Sequence, residues 1–98
     1  MNIIWTRTAK ISFAGILDYL NENWTQREID NFADETRNVI LQIQKNPLMY
    51  IASSNAKNIR KGFVNKKVSL FYRVSKRKKE ITLLMFWNNR QNPENLKY

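Results

Sequence analysis

The chain of 98 residues contains no cysteine and no histidine. Without cysteine it can form neither a disulfide nor a thiolate metal site. Without histidine it lacks a common metal ligand and the usual general base of enzymes. Six of its eight carboxylates also fall in segments whose pattern predicts helix surface. These absences argue against a metalloenzyme, and we expect the protein to use no metal and no other cofactor.

Long apolar runs are absent as well. No segment approaches the roughly 20 consecutive apolar residues that a transmembrane helix needs. The chain begins directly with the strand-like residues Ile3, Ile4 and Trp5, without the charged region and cleavage site of a signal peptide. The sequence therefore predicts a cytoplasmic protein that has no membrane partner.

The apolar content is sufficient for a single core. With 43% hydrophobic and 12% aromatic residues, a chain of this length can fold without help, but it is too short for two cores. It contains no internal repeat and no low-complexity tract. We expect one domain over residues 1–98.

Acidic residues are few, and the excess positive charge lies in one half of the chain. Residues 1–56 contain five lysines and arginines and six carboxylates. Residues 57–98 contain twelve lysines and arginines but only two carboxylates. A one-sided field of this kind attracts polyanions such as nucleic acid, an anionic membrane or an acidic protein. The alternative is a surface that only maintains solubility, although such clustering exceeds what solubility requires.

Hydrophobic periodicity predicts two helices after a short first strand at residues 2–7. Thr8 is expected to cap the first helix, because it precedes apolar residues at i, i+3, i+4 and i+7 spacing. This stripe comprises Phe13, Ile16, Leu17 and Leu20. Residues 25–28 read Thr-Gln-Arg-Glu, the capping-box pattern that begins a second helix, and Asn46 and Pro47 end it. The short link predicts an antiparallel helical hairpin that covers one face of a sheet.

Three β-rich segments follow at residues 58–64, 68–74 and 81–87. Their β-branched and aromatic residues, joined by polar connections of hairpin length, predict a three-stranded antiparallel meander. With the first strand and the helices, the chain is expected to have an α+β fold. Strict alternation would place Phe86 on the face opposite to Ile81. Because the last strand is apolar on both faces, we expect it to be central and its second face to be covered by a loop or a partner.

The order of elements and two motifs resemble a known family of proteins. The motifs are Leu70-Phe-Tyr-Arg-Val74 in the second β-rich segment and Phe86-Trp-Asn-Asn-Arg-Gln-Asn-Pro93 from the end of the third. Over nearly the whole chain, the pattern resembles the RelE/ParE superfamily of toxins from bacterial type II toxin-antitoxin modules. The resemblance implies a growth-inhibiting toxin of the plasmid-stabilisation type, neutralised by a cognate acidic antitoxin in a hetero-oligomer. RelE-like members are ribosome-dependent mRNA endoribonucleases, and ParE-like members poison DNA gyrase.

The two branches differ at positions that can be matched without gaps. Gly62 and Ser69 fall where RelE-like toxins have a lysine and an arginine, and Tyr98 lies two residues too late to match their C-terminal tyrosine. The closing Arg-x-x-Pro at residues 90–93 is similar to the ParE side instead. The resemblance therefore favours a gyrase poison over a metal-independent ribonuclease. A basic nucleic-acid-binding module without toxin activity is a further alternative, although neither predicted helix has the charge to enter a groove.

Two sets of candidate site residues follow from this resemblance. For a ribonuclease, the implied catalytic residues are Arg60, Lys61, Arg90 and Tyr98. For binding to the target or the antitoxin, the expected contacts are Arg60, Lys61, Arg73, Phe86 and Arg90. Arg90 stands out because it follows the central strand directly, in a segment of asparagine and glutamine. The alternatives are a solvated hairpin end for Arg60 and Lys61, an ion pair with a helix carboxylate for Arg73, and an exposed loop arginine for Arg90.

Overall fold

A computed structural model describes residues 1–52 and 58–90 of the chain. The elements in chain order are β1 (Asn2–Trp5), α1 (Arg7–Asn23), α2 (Gln26–Lys45), β2 (Ile59–Phe63), β3 (Val68–Ser75) and β4 (Glu80–Asn88). The predicted α+β fold is confirmed, with a first strand, a pair of helices and an antiparallel meander. No helix in the described residues combines the length and the hydrophobicity needed to cross a bilayer.

The four strands form one sheet in the order β1-β4-β3-β2. The first strand runs parallel to β4, with Asn2 opposite Glu80 and Trp5 opposite Leu83. The strand β4 is therefore central, as predicted. Because β1 ends opposite Leu83, the rest of this edge of β4, through Asn88, pairs with no strand among the described residues. This open edge of β4 lies beside α1 and forms part of the candidate site.

The helix caps agree with the sequence at α2 and differ at α1. The capping threonine of α2 is Thr25, whose hydroxyl accepts the Glu28 N–H at 3.3 Å, as the capping-box pattern predicts. The prediction of Thr8 as the cap of α1 is wrong, because Thr6 accepts the Ala9 N–H at 3.0 Å. The Thr6 hydroxyl also donates to the Leu83 carbonyl at 2.8 Å. This contact with β4 fixes the start of the helix two residues earlier than the local pattern indicates.

The strand β4 does not alternate strictly. Its register against β3 shifts between Phe71, opposite Met85, and Tyr72, opposite Leu83, so Leu84 is an extra residue in a β-bulge. An extra residue reverses the direction of every following side chain. The predicted face of Phe86 is therefore wrong.

The bulge places the Phe86 ring in the helix-side core. The side chain is only 2% exposed, and its ring centroid lies 5.4 Å from Trp5 and 5.1 Å from Phe13. The remaining buried apolar side chains of this core come from both helices and from β3 and β4, and include Ile16, Leu20, Phe32, Ile43, Leu70, Tyr72, Ile81 and Leu83. The helices thus cover one face of the sheet, as the sequence predicts.

The two glycines have opposite environments and give a matched test of packing. A Cβ atom at Gly62 would meet ring carbons of Tyr50 at 3.0 Å, whereas one at Gly15 would meet nothing within 4 Å. We expect Gly62→Val to lower the free energy of unfolding by about 1–3 kcal/mol, since the ring must be displaced. Gly15→Ala should raise it by about 1 kcal/mol, because alanine is the better residue inside a helix.

Urea denaturation of both variants beside the parent protein measures these differences. Valine favours strands, so a loss of stability at position 62 would arise from the contact with Tyr50. A Gly62→Val protein as stable as the parent would show that Tyr50 moves aside and that the contact is not tight.

Candidate functional site

The backbone that follows β4, called here the exit loop (residues 88–90), is held by hydrogen bonds to β3 and the turn before it. The Ser69 hydroxyl donates to Asn89 Oδ1 at 2.8 Å, and the Asn89 N–H donates to the Lys67 carbonyl at 2.8 Å. Within the loop, Asn88 Oδ1 accepts the Arg90 N–H at 3.0 Å. The loop therefore presents Arg90 from a fixed backbone.

The Arg90 side chain is exposed but is not free to move in every direction. Its Nη1 donates to the hydroxyl of Tyr19 on α1 at 3.1 Å. Among the described residues the one ion pair joins Arg37 and Asp34, at 3.4 Å, so no described carboxylate neutralises Arg90. A guanidinium that no described carboxylate neutralises is suited to bind an anionic group, and it can do so through two parallel hydrogen bonds.

A groove of about 540 Å³ lies beside Arg90, between α1 and the open edge of β4. Its walls are Ser12, Gly15, Ile16, Tyr19, Met85, Phe86, Trp87, Asn88 and Arg90. The Phe86 N–H points into this space and donates to the Ser12 hydroxyl at 2.9 Å. Backbone groups alternate in direction along an antiparallel strand, so Asn88 also directs its N–H and C=O towards the groove. We call this space the α1/β4 groove.

The predicted residues Arg60 and Lys61 lie on opposite faces of β2. Arg60 is opposite Tyr72 on the helix side and is half-buried, and its guanidinium donates to the Tyr50 carbonyl. Lys61 is exposed on the helix-free face, with Nζ 5.5 Å from the Phe63 ring centroid. The two side chains are adjacent in the strand but point to opposite faces of the sheet. They therefore cannot act on the same group from the same side.

The described ribonuclease candidates do not come together. Arg60 pairs with Tyr72 near the middle of β3, whereas the exit loop that contains Arg90 is bonded to Lys67, five residues before Tyr72. Five residues of strand span roughly 16 Å. Tyr98 lies outside the described residues. A joint catalytic role for these residues and Tyr98 stays a prediction. The placement of the described residues does not favour it.

Two further predicted contacts differ in their accessibility. Arg73 is exposed and pairs with Thr82 across the sheet, and the expected ion pair with a helix carboxylate is not found among the described residues. Phe86 is buried in the helix-side core, so its ring offers no surface to a partner in this conformation. Strict alternation predicts that Phe86 lies on the face opposite to Ile81, and the bulge at Leu84 makes this prediction wrong.

Gly62 and Ser69, which the resemblance matches to cations of RelE-like toxins, serve structural purposes in this chain. Ser69 is fully buried and bonded to Asn89, and Gly62 lies against the Tyr50 ring. Both positions are buried in this structure, so neither residue is exposed to a substrate. The sequence alone did not indicate that Ser69 and Tyr19 hold the exit loop, because both contacts join residues far apart in the chain.

Tyr72 is the buried ionisable group of the described structure whose pKa departs from its ordinary value. Its hydroxyl donates to the Pro47 carbonyl at 2.8 Å. Burial raises the pKa of Tyr72 above 10.0, and the nearby Arg60 guanidinium opposes this shift in part. The folded protein therefore keeps the Tyr72 hydroxyl protonated to a higher pH than an ordinary tyrosine would be.

The raised pKa predicts a loss of stability in alkali. A group with a raised pKa in the folded state stabilises the protein below its unfolded pKa, and this contribution is lost as the pH rises through the folded pKa. At neutral pH, Tyr72→Phe should cost about 0.5–1.5 kcal/mol by removing the hydrogen bond to Pro47. Above pH 10.0 the gap in melting temperature between the two proteins should narrow, because phenylalanine cannot ionise. A gap that is constant from neutral pH into alkali would contradict the assignment.

Comparison with known proteins gives a structural likeness without a sequence match. No protein-family model matches the sequence, and no curated protein matches it. A YoeB/ParE toxin from Agrobacterium tumefaciens has a TM-score of 0.64 and 12% identity, over 90% of this chain and 98% of that chain. The chromosomal ParDE toxin-antitoxin system from P. aeruginosa gives a TM-score of 0.64 and 18% identity, over 90% of this chain and 95% of that one.

A heterotetrameric complex of the YoeB-YefM toxin-antitoxin pair from Staphylococcus aureus gives a lower likeness. Its TM-score is 0.56 and its identity 15%, over 87% of this chain and 92% of that one. At such identities the comparison shows the fold, which is the predicted RelE/ParE-like fold. It does not separate the ParE branch from the YoeB branch.

Proposed function

We propose that this protein is the toxin of a type II toxin-antitoxin module, that it poisons DNA gyrase, and that a cognate acidic antitoxin neutralises it. The observation that carries the toxin proposal is the fold, which is shared with toxin structures over about nine-tenths of this chain. Two of those structures are described as toxin-antitoxin systems or complexes, which supports an antitoxin partner for this chain. Its site of action would be the bacterial cytoplasm.

We prefer gyrase to mRNA as the target because the described residues contain no group of side chains arranged to cleave RNA. Cleavage of RNA without a metal or histidine needs several cations that converge on one phosphate. Ser69 and Gly62 cannot provide them, and Arg60 on β2 pairs with Tyr72 of β3, whereas Arg90 belongs to the exit loop that is bonded to Lys67, before β3 begins. Binding to a protein–DNA target requires no such convergence.

Controlled expression of the chain in a bacterial host tests the toxin proposal. We expect growth arrest, which co-expression of the proposed cognate antitoxin should relieve. Normal growth at well-detected soluble levels of the protein would contradict a toxin. Binding of duplex DNA without growth arrest would favour the nucleic-acid-binding module instead.

Purified protein separates the two toxin mechanisms. We expect inhibition of DNA supercoiling by gyrase, and no cleavage of mRNA in translating ribosomes. Primer extension on mRNA after induction provides the second measurement. Codon-spaced cuts together with unimpaired supercoiling would reverse the order of the two mechanisms.

A further inference from the structure

The outer edge of β1 has no strand beside it among the described residues. The N–H groups of Asn2 and Thr6 donate to carbonyls on the β4 side, at 2.9 Å and 3.3 Å. Backbone groups alternate in direction along a strand, so Ile3 and Trp5 direct their N–H and C=O groups away from the sheet. These groups are therefore placed to bond to a further strand.

The opposite edge of the sheet is protected, whereas the edge at β1 is not. On the outer side of β2, the Lys61 N–H donates to the Ile51 carbonyl at 3.5 Å, and Arg60 forms a bridge with Ala52. Charged side chains and covering segments are common means of preventing an edge strand from pairing with another chain. Residues 2–5 read Asn-Ile-Ile-Trp, without charge, proline or bulge. Of the two edges, β1 is therefore the one suited to pair with another strand.

Apolar surface is exposed on both sides of β1. Because Trp5 stacks in the helix-side core, alternation places Ile4 on the helix-free face, where it is 39% exposed. On the helix side, a pocket of about 360 Å³ lies between Trp5, Phe13 and the part of α2 that contains Ile40 and Leu41. Leu41 is 48% exposed. A strand added to this edge would remove apolar surface from water on both faces of the sheet.

Charge indicates which kind of strand is suited to this edge. The strand β1 contains no charged residue. The one charged residue among the described walls of the pocket is Arg37, which is already paired with Asp34 at 3.4 Å. A charged partner would find no free opposite charge here, whereas an uncharged apolar strand needs none. The strand β1 is itself such a segment, and two antiparallel copies of it satisfy the two-fold symmetry that most homo-oligomers have.

We propose that β1 is the interface between two copies of this chain, and that their sheets join there into one continuous sheet. In this antiparallel pair, Ile3 of each copy exchanges both backbone hydrogen bonds with Trp5 of the other. Ile4 then lies on the two-fold axis, opposite Ile4 of the second copy. The strand contributes no residue to the α1/β4 groove, so the interface leaves that groove separate. It does not depend on the proposed function.

A single cysteine tests this geometry, because the chain has no cysteine of its own. Facing residues of an antiparallel pair without hydrogen bonds have Cα atoms about 4.5 Å apart, which a disulfide can bridge. Under mild oxidation, Ile4→Cys should form a covalent dimer at least about tenfold faster than Ile11→Cys at the same concentration. Ile11 on α1 is 60% exposed, so the control cysteine is the more accessible of the two. Equal rates would overturn the proposed pairing.

Sedimentation equilibrium of the purified parent protein measures the dimer without a crosslink. For an interface built on a short strand, we expect a dissociation constant between about 1 μM and 1 mM. Ile4→Lys places two ammonium groups opposite each other and should raise this constant by about tenfold or more. Ile11→Lys adds the same charge elsewhere and should change it by about twofold or less.

Circular dichroism equal to that of the parent shows that each of these variants is folded. A parent protein that stays monomeric up to about 1 mM would overturn the interface, since this is the weakest association expected of it. A dimer that Ile4→Lys leaves unchanged would also overturn it, because the contact would then lie elsewhere on the surface. Both measurements use protein that can be made by cell-free synthesis. Their failure is therefore distinguishable from a failure of the chain to arrest growth.

Discussion

Phe86→Ala is expected to lower the free energy of unfolding by about 3–5 kcal/mol, which is the usual cost of deleting a buried aromatic ring. The ring is 2% exposed and packs against both Trp5 and Phe13, so it joins β1, α1 and β4 in one cluster. Small domains have a total stability of about 5–15 kcal/mol. The substitution should therefore remove a large share of the total stability, and at the lower end of this range it should leave a substantial part of the protein unfolded.

The neighbouring residue provides the control for this prediction. Trp87 is half-buried and lies on the opposite side of β4, so Trp87→Ala should cost clearly less than Phe86→Ala. Chemical denaturation of both variants gives the comparison directly. If the strand alternated strictly from Ile81, the ranking would be the reverse, because Phe86 would then lie on the helix-free face. The measurement thus tests the bulge at Leu84 as well as the core.

The bulge marks the limit of what the sequence could predict about the fold. The helices and their link follow from local signals, since the apolar stripe of α1 and the capping box at Thr25 each lie within a few residues. The register of β3 against β4 is decided by contacts between distant residues, such as Tyr72 with Leu83. Nothing in the local sequence of β4 marks Leu84 as the extra residue, because both of its neighbours are equally apolar.

The position of the cap of α1 was missed for the same reason. Thr6 and Thr8 are equivalent as local capping residues. The choice between them depends on hydrogen bonds from Thr6 to Leu83, which lies 77 residues away. A cap that also forms part of the sheet can be recognised only once the parallel pairing of β1 with β4 is known.

For the candidate site too, the sequence predicts what depends on neighbouring residues and misses what depends on contacts between distant residues. The position of Arg90, directly after the central strand in an amide-rich segment, was predicted from the sequence. Its surroundings were not, because Tyr19 and Ser69 belong to other elements. The resemblance matches Ser69 to an arginine of RelE-like toxins, so from the sequence it is a position that lacks a cation. In the structure, its hydroxyl donates a hydrogen bond to Asn89 and so holds the exit loop. The C-terminal residues 91–98, including the predicted Tyr98, lie outside the described structure.

Arg90 is expected to contribute strongly to toxicity. Because we propose that Arg90 contacts the target, Arg90→Gln should raise the protein level needed for growth arrest by about tenfold or more. The physical reason is that the guanidinium is fixed by Tyr19 and by the exit loop, and no described carboxylate neutralises it. The stability should change by only about 0.5 kcal/mol or less, since the side chain is exposed.

Two other variants show whether charge alone or geometry produces the effect of Arg90. Arg90→Lys keeps the charge but not the planar fork of donors, so it should restore toxicity only in part. Arg77→Gln removes the same charge from an exposed turn and should leave toxicity close to that of the parent. Growth curves at matched, quantified protein levels provide the readout. Full toxicity of a folded Arg90→Gln protein would remove Arg90 from the target contact, and equal losses in Arg77→Gln would attribute the effect to the long-range field of the basic half of the chain.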